Sequence, residues 1–341
     1  MSNSYRNIFF LVGIIAIVIM LFTFDMKFDE LLSNLKRAGL WFPIVMLLWV
    51  FIYMINALSW YMIINDDGTK KVPFLKVYKY TITGFALNYA TPVGLMGGEP
   101  YRIMELTPYV GVSKATSSVI LYVMMHIFAH FCFWFSSIFL FIILYPVNIP
   151  TGIMLIFAGL FCLFFIYFFV KGYKNGMAVK ALRLCKKIPF LKNWATRFAT
   201  EKKETLERID SQIADLHKQR KKTFYTSLCL EFTTRIIGSL EVFFILKILT
   251  PDVNFLNCIL IMAFTTLFSN LFFFLPMQLG AREGGMAIAT GELGLTGAFG
   301  IYTGLITRVR ELMWIGIGIL LMKVGNKNKI LSNNNINETI Q

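Results

Sequence analysis

Apolar residues in this chain come in long runs, with neither the alternation of a strand nor the stripe of a surface helix. Ile8 to Phe24 reads IFFLVGIIAIVIMLFTF, without one charged residue. Strands of a membrane barrel alternate apolar and polar positions over about ten residues, so these runs predict helices. A helix crosses a bilayer with about 20 mostly apolar residues. Six segments qualify: about 8 to 24, 40 to 64, 116 to 145, 151 to 170, 223 to 249 and 297 to 322. Two more, about 78 to 115 and 255 to 296, are apolar but broken near their middles by Pro, Gly and charge.

Charges between the runs set an expected orientation. Lys70, Lys71, Lys76 and Lys79 follow the second run, and Lys323, Lys327 and Lys329 follow the last. Lys171 to Lys222 holds 15 Lys or Arg against 5 Asp or Glu. Cytoplasmic loops carry such an excess, so these three regions and both termini are expected on the cytoplasmic side of a cell inner membrane. The connections Tyr145 to Pro150 and Thr250 to Asn254 carry no Lys or Arg and read as external. The segment 78 to 115 then begins and ends inside, and 255 to 296 begins and ends outside. Both are predicted to be re-entrant helical hairpins. The loop 25 to 39 is the weakest part of this scheme, because its Lys27, Lys36 and Arg37 face outward alongside Asp25, Asp29 and Glu30.

The two broken segments share a pattern. PVGLMGGE from Pro92 and PMQLGARE from Pro276 both fit P-x-x-L-x-x-x-E, 184 residues apart. Four fixed letters are weak evidence alone, but each copy follows an apolar run and precedes a long predicted span. The expected architecture is therefore an all-α polytopic membrane protein of about six spans and two hairpins. Residues 1–145 would form a first repeat and 146–322 a second, inverted one containing the basic loop 171–222. Residues 323–341, rich in Asn, are expected to be a disordered cytoplasmic tail. Inverted repeats whose broken helices meet near the bilayer midplane are a recurrent transporter design.

Composition agrees with lipid as the solvent: 57% of residues are hydrophobic and 15% charged, against about a quarter charged in soluble domains. The net charge of +14 would suit nucleic acid, but it is concentrated in loops without a binding motif, and attraction to anionic headgroups explains it more simply. No nucleic-acid partner is expected. Of five cysteines, Cys132, Cys162, Cys229 and Cys258 lie in apolar runs and Cys185 in the basic loop, which argues against a disulfide framework. Asp25, Met26 and Lys27 follow the first run and offer no small-residue cleavage site, so a retained helix is expected there.

Irregular backbone at membrane depth persists only inside protein or beside a water-filled cavity. The hairpin tips, Pro92, Gly97 and Gly98 in the first and Pro276, Gly280 and Gly284 in the second, should therefore border one. Thr91 before Pro92 resembles a helix start, whose open N–H groups suit an anion such as a lipid phosphate. The bland alternative is that Pro and Gly only make a sharp turn. Intramembrane charge marks a pathway or an internal pair. The candidate substrate-binding set is Glu99, Arg102, Arg282, Glu283, Arg308 and Glu311, with Glu105 and Arg310 nearby. Arg282 and Arg308 are the expected phosphate ligands, because a guanidinium matches phosphate oxygens bidentately. Glu231 and Arg235, four apart, read as a structural ion pair that satisfies itself. His126 and His130, also four apart, could share a metal or relay protons, but they read first as polar residues lining the bundle interior. His217 reads as solvated. No nucleophile elbow, phosphate loop or metal-ligand cluster is found, so neither catalysis, a cofactor nor a metal is expected.

At these motifs the chain resembles the lysylphosphatidylglycerol synthase/flippase membrane-domain family of bacteria and archaea. The matching stretches are TPVGLMGGEPYRI from Thr91, the helix near His126, and LPMQLGAREGGMAI from Leu275 with Arg308 beyond it. The Gly280-Ala281-Arg282-Glu283-Gly284 run is the most specific, and the likeness spans about residues 8 to 322. Family members of this kind carry an Arg and an acid where this chain has His126 and His130. Aminoacyl-transferring members append a soluble catalytic domain. The resemblance thus implies a flippase module of the multiple peptide resistance factor type, without the synthase. Its wider membership extends to polyprenyl-linked sugars and hopanoids. Translocation of a phospholipid or other polar lipid is the expected function, with membrane lipids of anionic headgroup as partners. A partner synthase or glycosyltransferase and a second copy of the chain are the candidate protein partners. A polyprenyl-phosphate or lipid-headgroup transferase component and a small-solute transporter are the alternatives.

Overall fold

The computed structural model describes residue 36, residues 38–65, 72–90, 97–175, 192–201, positions 203, 204, 207, 210, 211 and 214, and residues 221–272, 278 and 280–323. The expected span at 8 to 24, Thr91, Pro92 and Pro276, Cys185 and His217 in the basic loop, and the tail beyond Lys323 lie outside them. The helices are α1 (Trp41–Ile64), α2 (Phe74–Ala90), α3 (Gly98–Val110), α4 (Val112–Leu144), α5 (Ile149–Asn175), α6 (Lys192–Glu201), α7 (Lys221–Leu249), α8 (Phe255–Leu271), α9 (Ala281–Glu292) and α10 (Gly297–Leu321). No strand occurs among the described residues. The chain is an all-α membrane protein.

Three helices, α1, α4 and α5, are long and apolar enough to cross a membrane on length and composition alone. α4 runs 33 residues with neither Gly nor Pro. At 1.5 Å per residue it is about 50 Å long, so in a hydrocarbon layer of about 30 Å it must tilt or project. α7 and α10 have 29 and 25 residues but carry charge in their middles: Glu231, Arg235 and Glu241 in α7, and Arg308, Arg310 and Glu311 in α10. Those charges are turned inward and paired, which is how lipid-immersed helices tolerate them.

The broken segments form helix–break–helix units, as the sequence predicts. α2 and α8 have 17 residues each, α3 has 13 and α9 has 12. At about 18 to 26 Å each, all four fall short of a bilayer. Gly294, with φ of 81°, ends α9 in a Schellman turn: Leu295 N–H donates to Thr290 O at 2.9 Å and Gly294 N–H to Gly291 O at 3.2 Å. Gly111, with φ of 80°, separates α3 from α4. α2 and α3 cross where a Cβ on Gly98 would sit 2.1 Å from the Gly84 carbonyl oxygen. Gly98 N–H donates to Asn88 Oδ1 at 2.7 Å across that crossing. The expected tip residues Gly98 and Gly284 are in fact helical. Around Gly284 a Cβ would meet nothing within 4 Å, so the fold does not demand glycine there.

Helix pairing repeats along the chain. α1 packs on α2, α2 on α3, α3 on α4 and α1 on α4, and the same four pairings recur among α7, α8, α9 and α10. Between the sets, α2 packs on α10 and α8 on α4, while α1 and α7 pack on each other. Ser59 and Ser227 hydroxyls meet at 2.7 Å in that last seam, and Trp41 stacks on Phe244 with centroids 5.5 Å apart. Small residues allow such close approach in lipid. α5 stands at the edge, held to α4 by stacks of Phe131 on Phe165 at 4.6 Å and Phe128 on Phe169 at 5.5 Å. Its other face leaves Ile149, Met154, Phe157, Leu160 and Phe164 exposed, as a lipid-facing helix requires.

Candidate functional site

Three charges packed into about one turn of α10, Arg308, Arg310 and Glu311, organise the interior. Arg308 and Glu311 share a face and bond at 3.2 Å, Nη1 to Oε2. Arg310 points elsewhere: it donates to Glu241 of α7 twice, Nε to Oε1 at 2.8 Å and Nη2 to Oε2 at 3.0 Å. Its Cζ lies 3.8 Å from the centroid of the Trp49 ring of α1. Trp49 Nε1 donates to the same carboxylate at 2.9 Å. One guanidinium thus ties α10 to α7 and α1, by a bidentate bond and by a cation lying on a ring.

From α9, Arg282 pairs with Glu311, and Arg308 donates to Glu283 Oε1 at 2.7 Å. The other oxygen of Glu283 accepts the Gly280 N–H at 3.0 Å, closing the helix start that the Gly-Ala-Arg-Glu sequence encodes. Arg308 Nη2 donates to the Gln278 carbonyl at 3.1 Å, and Gln278 has φ of 53°. Three arginines therefore interlock with Glu241, Glu283 and Glu311. Buried charges are tolerated in this way only with good geometry and further hydrogen bonds.

A second cluster joins α4 to α7. His126 Nδ1 is 2.8 Å from Glu231 Oε2 and 2.8 Å from Arg235 Nη2. Arg235 and Glu231 are themselves 3.7 Å apart. The expected ion pair forms but does not satisfy itself: the contact between its own members is the longest of the three, and a histidine from another helix stands between them. A third cluster holds Arg102. That guanidinium is buried against the rings of Phe85, Tyr122 and Trp60, 4.8 to 5.8 Å from their centroids. It pairs with Glu99 at 3.6 Å and reaches the Thr81 carbonyl at 3.3 Å. Glu99 also accepts from Asn88 at 2.9 Å.

Between these clusters lies a cavity of about 350 Å³. α1, α2 and α4 wall one side and α7 to α10 the other. Its charged lining is Arg235, Glu241, Arg282, Arg310 and Glu311, with His126 and His130 beside them. Trp49, Asn56, Asn88, Tyr89 and Asn270 add polar edges. The volume falls within the roughly 300–1,000 Å³ of small-molecule sites. Several buried lining atoms have no hydrogen-bond partner: Asn56 Oδ1, His130 Nδ1, Arg235 Nε, Thr265 Oγ1 and Arg310 Nη1.

Of the candidate binding residues, Arg282 and Glu311 reach this cavity. Glu283 and Arg308 stand behind them as their partners, and Glu99 stands behind Asn88. Arg102 is enclosed in its aromatic box, behind the lining ring of Phe85. Sequence reasoning missed Glu241, Trp49 and Asn56 and left Arg310 at the margin. Glu241 pairs with Arg310 across 69 residues of sequence and with Trp49 across 192, separations without local signal. His126 and His130 face the interior, as their spacing on one helix face implies. Groups of three or more His, Cys, Asp or Glu able to hold a metal are absent among the described residues.

No curated protein matches the chain, and no solved structure matches it. A family model for the lysylphosphatidylglycerol synthase TM region matches residues 9–318, which takes in the charged residues of α7, α9 and α10 and every residue of the cavity wall. The chain belongs to the lysylphosphatidylglycerol synthase TM region family.

Proposed function

We propose that this chain, from a family concerned with lipid modification or translocation, moves a polar lipid between leaflets. The headgroup would pass through the central cavity while the acyl chains stay in the bilayer. The observation that carries this reading is the cavity itself. Its volume of about 350 Å³ is of the size of small-molecule sites, and it is lined by both signs of charge, which lipid-immersed helices carry only for a pathway or an internal pair.

The charge is balanced before any headgroup arrives, and this shapes the mechanism. Arg282 and Glu311 are already paired, so a lipid phosphate must take Arg282 from Glu311, or add to the open donor of Arg310 Nη1. A headgroup carrying both phosphate and ammonium exchanges partners without leaving any charge alone: phosphate to Arg282, ammonium to Glu311. Arg308 then keeps Glu311 in place and Glu283 keeps Arg308. The repeated pairing of α1–α4 and α7–α10 supports alternating access about this site. The chain would cross the membrane several times with both termini cytoplasmic, and α2/α3 and α8/α9 would be the two re-entrant units.

Purified protein in liposomes, scored for movement of labelled phospholipids between leaflets, tests the reading. Wild type should move lipid above protein-free background, and Arg282→Ala should move it at least about tenfold more slowly, the loss of one charged contact of about 1.4 kcal/mol or more. If neither moves lipid of several headgroup classes above background, the proposal fails.

A further inference from the structure

We infer that His126, Glu231 and Arg235 form a proton-binding site that couples proton movement to transport through the cavity; this rests on the translocation reading above. The geometry asks for a proton that can change place. His126 Nδ1 has one in-plane position, which holds either a hydrogen or a lone pair. Arg235 Nη2 and Glu231 Oε2 both stand 2.8 Å from it. With a hydrogen there, the ring donates to Glu231 and its N–H opposes the N–H of Arg235. With a lone pair there, the ring accepts from Arg235, and Glu231 Oε2 faces a lone pair unless the carboxyl itself carries a proton. One nitrogen cannot serve both partners, so the protonation of His126 and Glu231, including which imidazole nitrogen carries the proton, decides which bond forms. Glu231 is fully buried, and its Oε1 has no hydrogen-bond partner. Its carboxylate meets His126 Nδ1 at 2.8 Å and Arg235 at 3.7 Å.

A route to the cavity is in place. His130 lies one turn along α4, its ring centroid 5.5 Å from that of His126. Its Nδ1 is buried without a hydrogen-bond partner, and both rings line the cavity along with Arg235. The groups facing the site are few. α7 contributes Glu231 and Arg235, α3 contributes Arg102 across the Tyr122 ring, and α2 contributes Phe85 and, from the cavity wall, Tyr89. α1 and α8 contain no charged residue, and the sequence of α5 has none before Lys171, in its last five residues. The change on protonation is a swap of hydrogen bonds that frees or recaptures Arg235 at the cavity wall, where a headgroup phosphate would meet it. One proton enters from the cavity when it opens to one face and leaves when it opens to the other. No electron moves and no bond other than the O–H or N–H is made or broken.

The test has two arms on the full chain in lipid membranes. First, infrared difference spectra are recorded across a pH titration. Wild type should show a carboxylic-acid C=O band that titrates, lost in Glu231→Gln and displaced in pH in His126→Gln. Second, labelled-lipid movement is measured in liposomes with and without an imposed pH gradient. Wild type should respond at least about 5-fold, the lower end of ordinary coupling, and both variants less than about 2-fold. No titrating band in wild type overturns the site, whatever lipid does. A titrating band with lipid movement indifferent to the gradient overturns the coupling and leaves translocation standing. No lipid movement under any gradient overturns the translocation reading, and the coupling with it.

Discussion

Glu241→Gln is the sharpest perturbation of the interior. Glu241 is 1% and Arg310 4% exposed at the side chain, so neither charge can turn to bulk water when its partner is neutralised. The substitution keeps the shape and an acceptor for Trp49 Nε1, but removes the charge that meets Arg310 through two bonds of 2.8 and 3.0 Å. Glu311, 3.8 Å from Arg310 Nη1, is the remaining counter-charge, and it is shared with Arg282 and Arg308. Breaking a buried pair by removing one partner costs about 3–5 kcal/mol. The shared glutamate places this case near the lower end, at roughly 3 kcal/mol, or about 4 °C in Tm for a chain of 341 residues. Arg310→Met alone should cost a similar amount by stranding Glu241. Glu241→Gln with Arg310→Met together should cost less than the sum by at least about 2 kcal/mol, because replacing both members of a buried pair leaves no charge unpaired. Thermal unfolding of the four proteins in one detergent measures the cycle. Additive losses, or singles within about 0.5 kcal/mol of wild type, would refute the claim that this pair holds α7 to α10.

Other consequences follow from the packing. Gly300→Val should abolish stable folding, since a Cβ there would sit 2.3 Å from the Met286 carbonyl oxygen, whereas Gly291→Ala, with nothing within 4 Å, should fold normally; size-exclusion profiles after detergent extraction separate the two. Ser59→Cys with Ser227→Cys should cross-link spontaneously or under mild oxidant, because the native hydroxyls are 2.7 Å apart, and a persistently reduced pair on thiol titration would contradict the α1–α7 seam. Arg282→Lys should lose most of the translocation that Arg282→Ala loses, because an ammonium cannot reproduce the planar fork, while its Tm stays within a few degrees of wild type. A maleimide probe that cannot cross membranes should label Lys192→Cys, exposed on α6, only from the cytoplasmic side; labelling from outside would reverse the proposed orientation.

Hydrophobic runs foretold much of the scaffold. The segments 40 to 64, 116 to 145, 151 to 170, 223 to 249 and 297 to 322 appear as α1, α4, α5, α7 and α10 with ends displaced by at most five residues. The displacements have local causes: α4 starts at Val112 because Gly111 breaks the chain there, and α5 runs on to Asn175 because nothing stops a helix where its apolar run ends. Both broken segments were legible from Pro, Gly and charge. The site was legible only where its partners are close in sequence. Arg308 with Glu311 shows itself at a spacing of three, and the Gly-Ala-Arg-Glu run announces Glu283 at a helix start. Glu241 is one acid in an apolar stretch, and only folding brings Arg310 and Trp49 to it. The Glu231–Arg235 pair forms as read, but its third member, His126, is 105 residues away and gave no local signal.

Passage of a headgroup through the cavity is the central claim, and Gly238 allows it to be blocked without touching a charge. Gly238 lines the cavity wall on α7, and the group nearest to a Cβ there would be Met262 Cε at 3.9 Å, an ordinary contact. Gly238→Phe should therefore fold and fill the space. Labelled-lipid movement in liposomes, normalised to folded protein, should fall to the protein-free background in Gly238→Phe while Gly291→Ala matches wild type. Wild-type rates in a folded Gly238→Phe protein would contradict the account.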